Sequence, residues 1–293
     1  MTMSATKSPR KEEAVAIDDA VPVFALSRPD DGRQSRLARM SGKLSRFMAR
    51  NVATKKLTMC NDKPLVTFTF DDAPASACTA GAALLEQYQA RGTFYISGAG
   101  CGLISPGGRL ATAEQLKVLC AAGHEIGCHT FSHSAVAAVG RETLAADLKR
   151  NQQFLQGIDS DIAIRNFAYP YGDLSFAAKR CVETHFDSCR SLLPGVNVGV
   201  VDLGALKSCE LQNSSIGRQG IRDIIVNTAG KNGWLIFVSH DVDRQPSWFG
   251  VSPDLLEFAL NAATTAGCRL VTIRGALQLL RGAALGPTST SLR

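Results

Sequence analysis

Between about residue 60 and 281, short apolar runs alternate with longer stretches of helical periodicity. The runs are LVTFTF (65–70), GTFYIS (92–97), HEIGCH (124–129), RNFAYP (165–170), LIFVSH (235–240) and CRLVTI (268–273). Strand-length runs separated by helix-length segments predict parallel strands joined by right-handed βαβ crossovers. The helices carry their own punctuation. Thr112 followed by Gln115 has the spacing of a capping box, and Gly123 closes that helix. Ser252-Pro253 opens another that runs on to Gly267. No internal repeat or second domain boundary interrupts this stretch, so one α/β domain of barrel or open-sheet type is predicted over 60–281.

The flanks read differently. Residues 1–32 are polar, with Pro9, Pro22 and Pro29, and the tail over 282–293 is similar, so both are expected to be poorly ordered. Residues 33–59 predict a basic amphipathic helix and linker, because Leu37, Met40, Leu44, Phe47 and Met48 recur at helical spacing. Residues 33–56 hold eight Lys or Arg and no Asp or Glu; removing those eight from a net +6 leaves the rest of the chain at −2. The first reading is a helix laying its apolar stripe on the main domain with its basic face in water. The second is a peripheral contact with an anionic membrane surface. No nucleic-acid partner is expected, since the segment has one aromatic and no recognisable module around it.

Composition narrows the class. With 293 residues, 45% hydrophobic and 20% charged, the chain has the balance of a soluble globular protein with room for a substantial core. No apolar run approaches the roughly 18 residues that span a bilayer. The start, MTMSATKSPRKEEAVAIDDA, has acidic residues where an export signal needs an apolar stretch. The nine cysteines are scattered and never form CxxC, which predicts free, mostly buried thiols. A cytoplasmic location is the expectation.

The polar residues that follow the predicted strands carry the chemistry. Asp71 and Asp72 end VTFTF, His129 follows HEIGC with His133 four residues on, Tyr171 follows NFAYP, and His240 follows LIFVS. Strand C-terminal ends are the face on which parallel α/β folds build their sites. A carboxylate and two imidazoles make a three-ligand set with one position open, as in catalytic zinc sites. Such an ion lowers the pKa of its water from about 15.7 to roughly 7. The Asp71–Asp72 pair would supply one ligand and one base, and His240, from a distant strand, is placed to protonate a leaving group. In YPYG the proline has no N–H, so the Tyr171 amide is the donor that could meet an oxyanion. The glycine-rich stretch 97–108 reads as a rim loop rather than a phosphate cradle. Trp248 and Phe249, beyond His240, offer rings that could stack on a ligand or pack in the core.

TFDD (69–72), HTFSH (129–133), FAYPYG (167–172) and VSH (238–240), in this order, resemble the polysaccharide deacetylase family, carbohydrate esterase family four. The resemblance covers roughly residues 64–281 and implies a distorted (β/α) barrel of about seven parallel strands. It implies a divalent metal, usually zinc, on Asp72, His129 and His133. It also implies Asp71 as base, His240 as acid, a groove wall from Pro170 and Tyr171, and the Tyr171 amide in an oxyanion hole. The reaction implied is hydrolysis of N- or O-acetyl groups on an oligo- or polysaccharide, releasing acetate.

Two departures stand out. The family's base-positioning Arg before PYG is replaced by Ala168, and Arg165 is not assumed to substitute for it. The Asp-Trp element that tunes the histidine has no counterpart between 173 and 233, leaving Asp241 or Asp202 as candidates to orient His240. These departures and the basic helix keep two further readings open: an amidase or deformylase acting on a nucleotide- or lipid-carrier-linked sugar, and a carbohydrate-binding protein on the same fold.

Overall fold

A computed structural model of the chain describes residues 36–284. The expectations for residues 1–32, and for all but the first residues of the tail, lie outside this range. Seven strands run parallel: β1 (Leu65–Asp71), β2 (Thr93–Ile96), β3 (Glu125–Cys128), β4 (Asn166–Ala168), β5 (Ser188–Pro194), β6 (Leu206–Glu210) and β7 (Trp234–Ser239). Each pairs with the next, and β7 returns to β1 from Trp234↔Leu65 to Ser239↔Phe70, which closes a barrel. The helices are α1 (Arg36–Asn51), α2 (Ala82–Gln87), α3 (Ala113–Ala121), α4 (Arg141–Ile158), α5 (Phe176–Val182), α6 (Arg218–Gly230), α7 (Pro253–Thr265) and α8 (Ile273–Ala284). α3 carries the Thr112–Gln115 capping box, and the Ser252 hydroxyl caps α7 by accepting from the Leu255 N–H.

β1 shows how the sequence divides the barrel into two layers. Successive strand residues face opposite sides. Val66, Phe68 and Phe70 join the apolar layer between strands and helices, where Phe70 stacks on Phe94 with ring centroids 5.0 Å apart. On the other face, Leu65 belongs to the lower interior with Trp234 and Ile236, Thr67 accepts from the Trp234 Nε1–H at 2.9 Å, and Asp71 stands at the mouth. That face therefore runs from apolar to charged. Truncating a ring such as Phe94, fully buried in the outer layer, would cost about 3–5 kcal/mol.

The strand expected over 268–273 is only a two-residue pairing, Arg269–Leu270 beside Leu65 and Val66. β7 holds one edge of β1 throughout, and β2 takes the upper part of the other from Thr69 to Asp71. The chain then turns into α8, whose Ile273 and Arg274 N–H groups donate to Thr93 Oγ1 and Glu125 Oε2, sealing the floor. β5 and β6, which the apolar pattern did not announce, complete the barrel. The nine cysteines are free thiols, with Cys78, Cys128, Cys181, Cys189 and Cys268 buried.

α1 docks on α5, but not by its apolar stripe. Ser45 Oγ accepts from the Phe176 N–H at 3.0 Å and Ala49 is fully buried, while Met40, Leu44 and Phe47 are 67%, 60% and 63% exposed. The expectation that the stripe would lie on the domain thus fails for Met40, Leu44 and Phe47, while Met48 is partly buried. The side chains facing α5 are small or hydroxylated, and small side chains let two helices approach closely enough for hydrogen bonds between them.

Candidate active site at the mouth of the barrel

Asp71 closes β1, and the chain then enters the left-handed region at Asp72 (φ 59°) and Ala73 (φ 47°). This kink sends two adjacent carboxylates to different partners. Asp71 turns into the barrel toward Arg190, and Asp72 turns toward the histidines. Left-handed backbone costs a non-glycine residue roughly 1–2 kcal/mol, and it recurs at Thr130, His133 and Tyr171 around the same mouth. Strain concentrated in this way marks sites that the surrounding structure over-determines.

His129 and His133, four residues apart, lie in a loop and not on a helix. The rest of the molecule clasps that loop: Asp147 of α4 accepts from the Phe131 N–H at 2.7 Å, and the Thr130 hydroxyl accepts from the Ser134 N–H at 3.0 Å. The His129 ring meets the Ala168 carbonyl through Nδ1 at 2.8 Å. A carbonyl only accepts, so Nδ1 carries the proton and the Nε2 lone pair faces Asp72. His129 Nε2 and His133 Nε2 lie 3.9 and 3.3 Å from Asp72 Oδ1, and one donor atom from each of the three residues falls within 4.8 Å of the others.

All three residues are buried, and Asp72 Oδ1 has no hydrogen-bond donor. Burial, then the charge of Asp71, pushes the Asp72 carboxyl up to about 8. Burial pulls His129 down to about 4 and His133 lower still. A buried carboxylate facing two neutral imidazoles lacks a counter-charge, and a divalent cation on these donors would supply it. The donor set fits such an ion.

Arg190, fully buried on β5, is a residue at the mouth that the sequence reading missed. Its Nη2 donates to both oxygens of Asp71. Burial alone would raise the Asp71 carboxyl, but Arg190, His129 and His240 together hold it below its ordinary value. Arg190 stands directly across the ladder from Ala168. The guanidinium missing from β4 therefore comes from the adjacent strand at the same level. Arg165 is on the surface, 3.8 Å from Asp187.

His240 follows β7 with its ring against Phe249 at 5.4 Å between centroids, and its Nδ1 is buried without a hydrogen-bond partner. Burial lowers its pKa; Asp71 opposes that shift and Arg190 adds to it. Neither carboxylate expected to orient this ring does so. Asp241 accepts from the backbone and hydroxyl of Ser247, and Asp202 serves Lys179 and the Lys55 and Gly204 amides.

These residues surround one cavity of about 450 Å³ lined by Asp71, Asp72, His129, His133, Tyr171 and His240, with the rim loop entering at Ser105–Gly107. Leu192 and Glu210 reach it from the two unannounced strands, and Phe249 closes one side. Tyr171 lies in a tight turn, Pro170–Gly172, with its ring edge-on to His133 at 4.5 Å. Gly172 is required there: its φ is +61°, and a Cβ would meet the Leu192 side chain at 2.8 Å. Pro170, expected in the groove wall, is buried and does not line the cavity. Trp248, 72% exposed, stands outside the cavity, and Phe249 holds the place expected of it.

Residues 58–185 match the family model described as polysaccharide deacetylase. Over those residues the chain is similar to polysaccharide deacetylases. The chitin deacetylase of Colletotrichum lindemuthianum is 22% identical over 222 residues, covering 74% of this chain and 81% of that protein. Its solved structure superposes with a TM-score of 0.55 at 15% identity, over 77% of this chain and 92% of its own. The peptidoglycan deacetylase PdaC of Bacillus subtilis gives a TM-score of 0.51 at 16% identity, over 76% and 94%. At these identities the solved structures establish the shared deacetylase barrel, and the side-chain argument rests on this chain's own geometry.

Proposed function

We propose that this protein is a metal-dependent hydrolase that removes N-acetyl, or O-acetyl, groups from an oligo- or polysaccharide and releases acetate. The observation that carries the reading is the convergence of two sets of groups on one cavity: the Asp72–His129–His133 donor set, and the pair Asp71 and His240. A divalent ion held by the donor set, with zinc best suited to two imidazoles and one carboxylate, would polarise the acetyl carbonyl and provide a nucleophilic water at neutral pH.

The chain's own residues supply the rest. Asp71, kept ionised by Arg190, takes the proton of the attacking water. The Tyr171 N–H, in the turn that reaches the cavity, stabilises the oxyanion that forms. The new bond joins water oxygen to the acetyl carbon, the bond from that carbon to the sugar nitrogen or oxygen breaks, and His240 gives the leaving atom its proton. Arg190 acts through Asp71 and is a positioning residue. Phe249 and Leu192 form apolar walls, and Glu210 offers a carboxylate to sugar hydroxyls at the rim.

The test is acetate release from chitin oligomers, peptidoglycan and acetylxylan, with metal analysis of the purified protein. Release should stop on chelation and return with zinc or cobalt. A protein that takes up metal yet releases no acetate from any acetylated saccharide, while binding them, would be a carbohydrate-binding module and not an esterase.

A further inference from the structure

The active site leaves one conspicuous surface unexplained, the outward face of α1. At 100° per residue, Met40, Leu44 and Phe47 fall within about 60° of one another, opposite Ala49, the residue buried against the domain. Gly42, Ser45 and Met48 are partly buried beside Ala49. Lys43 and Arg50 occupy one flank of the apolar face; both are exposed, and no carboxylate among the described residues pairs with them. The helix thus has three sides: a docked side of small residues, an exposed apolar side and a cationic flank.

Water gives no reason to display three large apolar side chains in a row on a helix already fixed to its domain, and isolated exposure would not place cations beside them. An amphipathic helix lying in an anionic lipid interface needs both features, because apolar insertion and phosphate attraction act together. α1 is also held where such a surface would matter. Ser45 meets the N-terminus of α5, while Ala49 and Val52 accept from Lys179 further along it. The two helices therefore run in the same direction. α5 starts at the mouth, just after the turn that carries Tyr171, so Met40 and Lys43 lie on the mouth side of Ser45.

We infer that α1 is a membrane-surface element. Met40, Leu44 and Phe47 enter an anionic phospholipid interface while Lys43 and Arg50 meet the phosphates, holding the cavity mouth beside the lipid. The inference does not depend on the deacetylase reading, and its test needs no turnover. Full-length protein is sedimented with vesicles of phosphatidylglycerol and phosphatidylcholine, or of phosphatidylcholine alone, at low and high salt. Binding should require the anionic lipid and weaken with salt. Met40→Ser/Leu44→Ser/Phe47→Ser should lower vesicle affinity roughly tenfold or more. Lys43→Gln and Arg50→Gln should each lower it about fivefold. Thermal melts of the variants, whose changed side chains are all exposed, would check that folding is intact. Absence of binding by the full chain, equal binding to neutral vesicles, or an unaffected triple variant would overturn the inference. So would a concentration-dependent dimer abolished by the triple variant, since a second copy would then cover the face.

Discussion

The barrel has a buried polar cluster at each end, and the two are built on opposite principles. At the floor, Glu125 accepts from Thr93 Oγ1 at 2.9 Å, from Asn166 Nδ2 and from the Arg274 N–H at 2.8 Å. The Asn166 carbonyl in turn accepts from Ser188 Oγ at 2.7 Å, and His124 spans the Gly92 N–H and Glu86. Each of these polar groups has a partner. At the mouth, Asp72 Oδ1, His240 Nδ1 and both Nε and Nη1 of Arg190 have none, and the backbone is left-handed at Asp72, Ala73, Thr130, His133 and Tyr171. Buried charge by itself does not distinguish the two ends. A satisfied network holds a fold together, whereas an unsatisfied and strained one is kept for something that binds.

That contrast predicts a graded series of effects. The largest belongs to the mouth: Asp71→Asn should lower kcat roughly 10²–10⁴-fold, and the melting temperature should fall too, because the buried Arg190 guanidinium loses its counter-charge. Chelation should abolish turnover, with recovery on adding zinc. Turnover that survived both changes would leave the mouth's unsatisfied groups without a purpose.

Next comes the guanidinium. Arg190→Ala should reduce kcat roughly 10–100-fold, more than it changes KM. Because the two positions face each other across the ladder, Arg190→Ala/Ala168→Arg should recover part of that loss. A purely structural Arg190 would show a lower melting temperature but no recovery of kcat in the double variant.

At the floor the expectation is reversed. Glu125→Gln should leave kcat of the folded protein unchanged and cost about 1–3 kcal/mol of stability. Burial, only partly offset by its hydrogen bonds, raises the Glu125 pKa on folding. Its contribution to wild-type stability is therefore full at acid pH and declines as pH rises above about 4.5. The stability gap between wild type and Glu125→Gln should accordingly narrow with rising pH, as urea melts at several pH values would show. The smallest effect is expected at Gln89, exposed and left-handed (φ 54°) in the turn before β2. Gln89→Gly should be neutral or stabilising by up to about 1 kcal/mol without altering activity.

The sequence made the mouth more legible than the barrel that supports it. The strands made of fully buried apolar and β-branched runs, such as β1 and β7, announced themselves, and the chemical residues at their ends followed. β5 and β6 did not, because SCRSLLP and LKSCE carry polar residues that are buried only through partners elsewhere. Ser191 and Ser208, for example, donate to the carbonyls of Leu206 and Ser191 at 2.9 and 2.7 Å. Arg190 was hidden for the same reason. An arginine in a run of serines has no apolar periodicity, and its value depends on a register between two strands that only the closed barrel fixes. Spacing correctly pointed to His129 and His133 as neighbours, but the loop that carries them, held by Asp147 from another element, leaves no local pattern.

Lys179 has a practical consequence for where this protein can be cut. Its fully buried ammonium is held by the Ala49 and Val52 carbonyls and by Asp202. A fragment trimmed to the family-matched region, starting at residue 58, would keep Asp202 but remove both carbonyls, each the acceptor of a hydrogen bond from a charged group, a kind that contributes about 1.5–3 kcal/mol. The stretch before the barrel works like a clamp on its wall, and any expression boundary should be drawn ahead of α1.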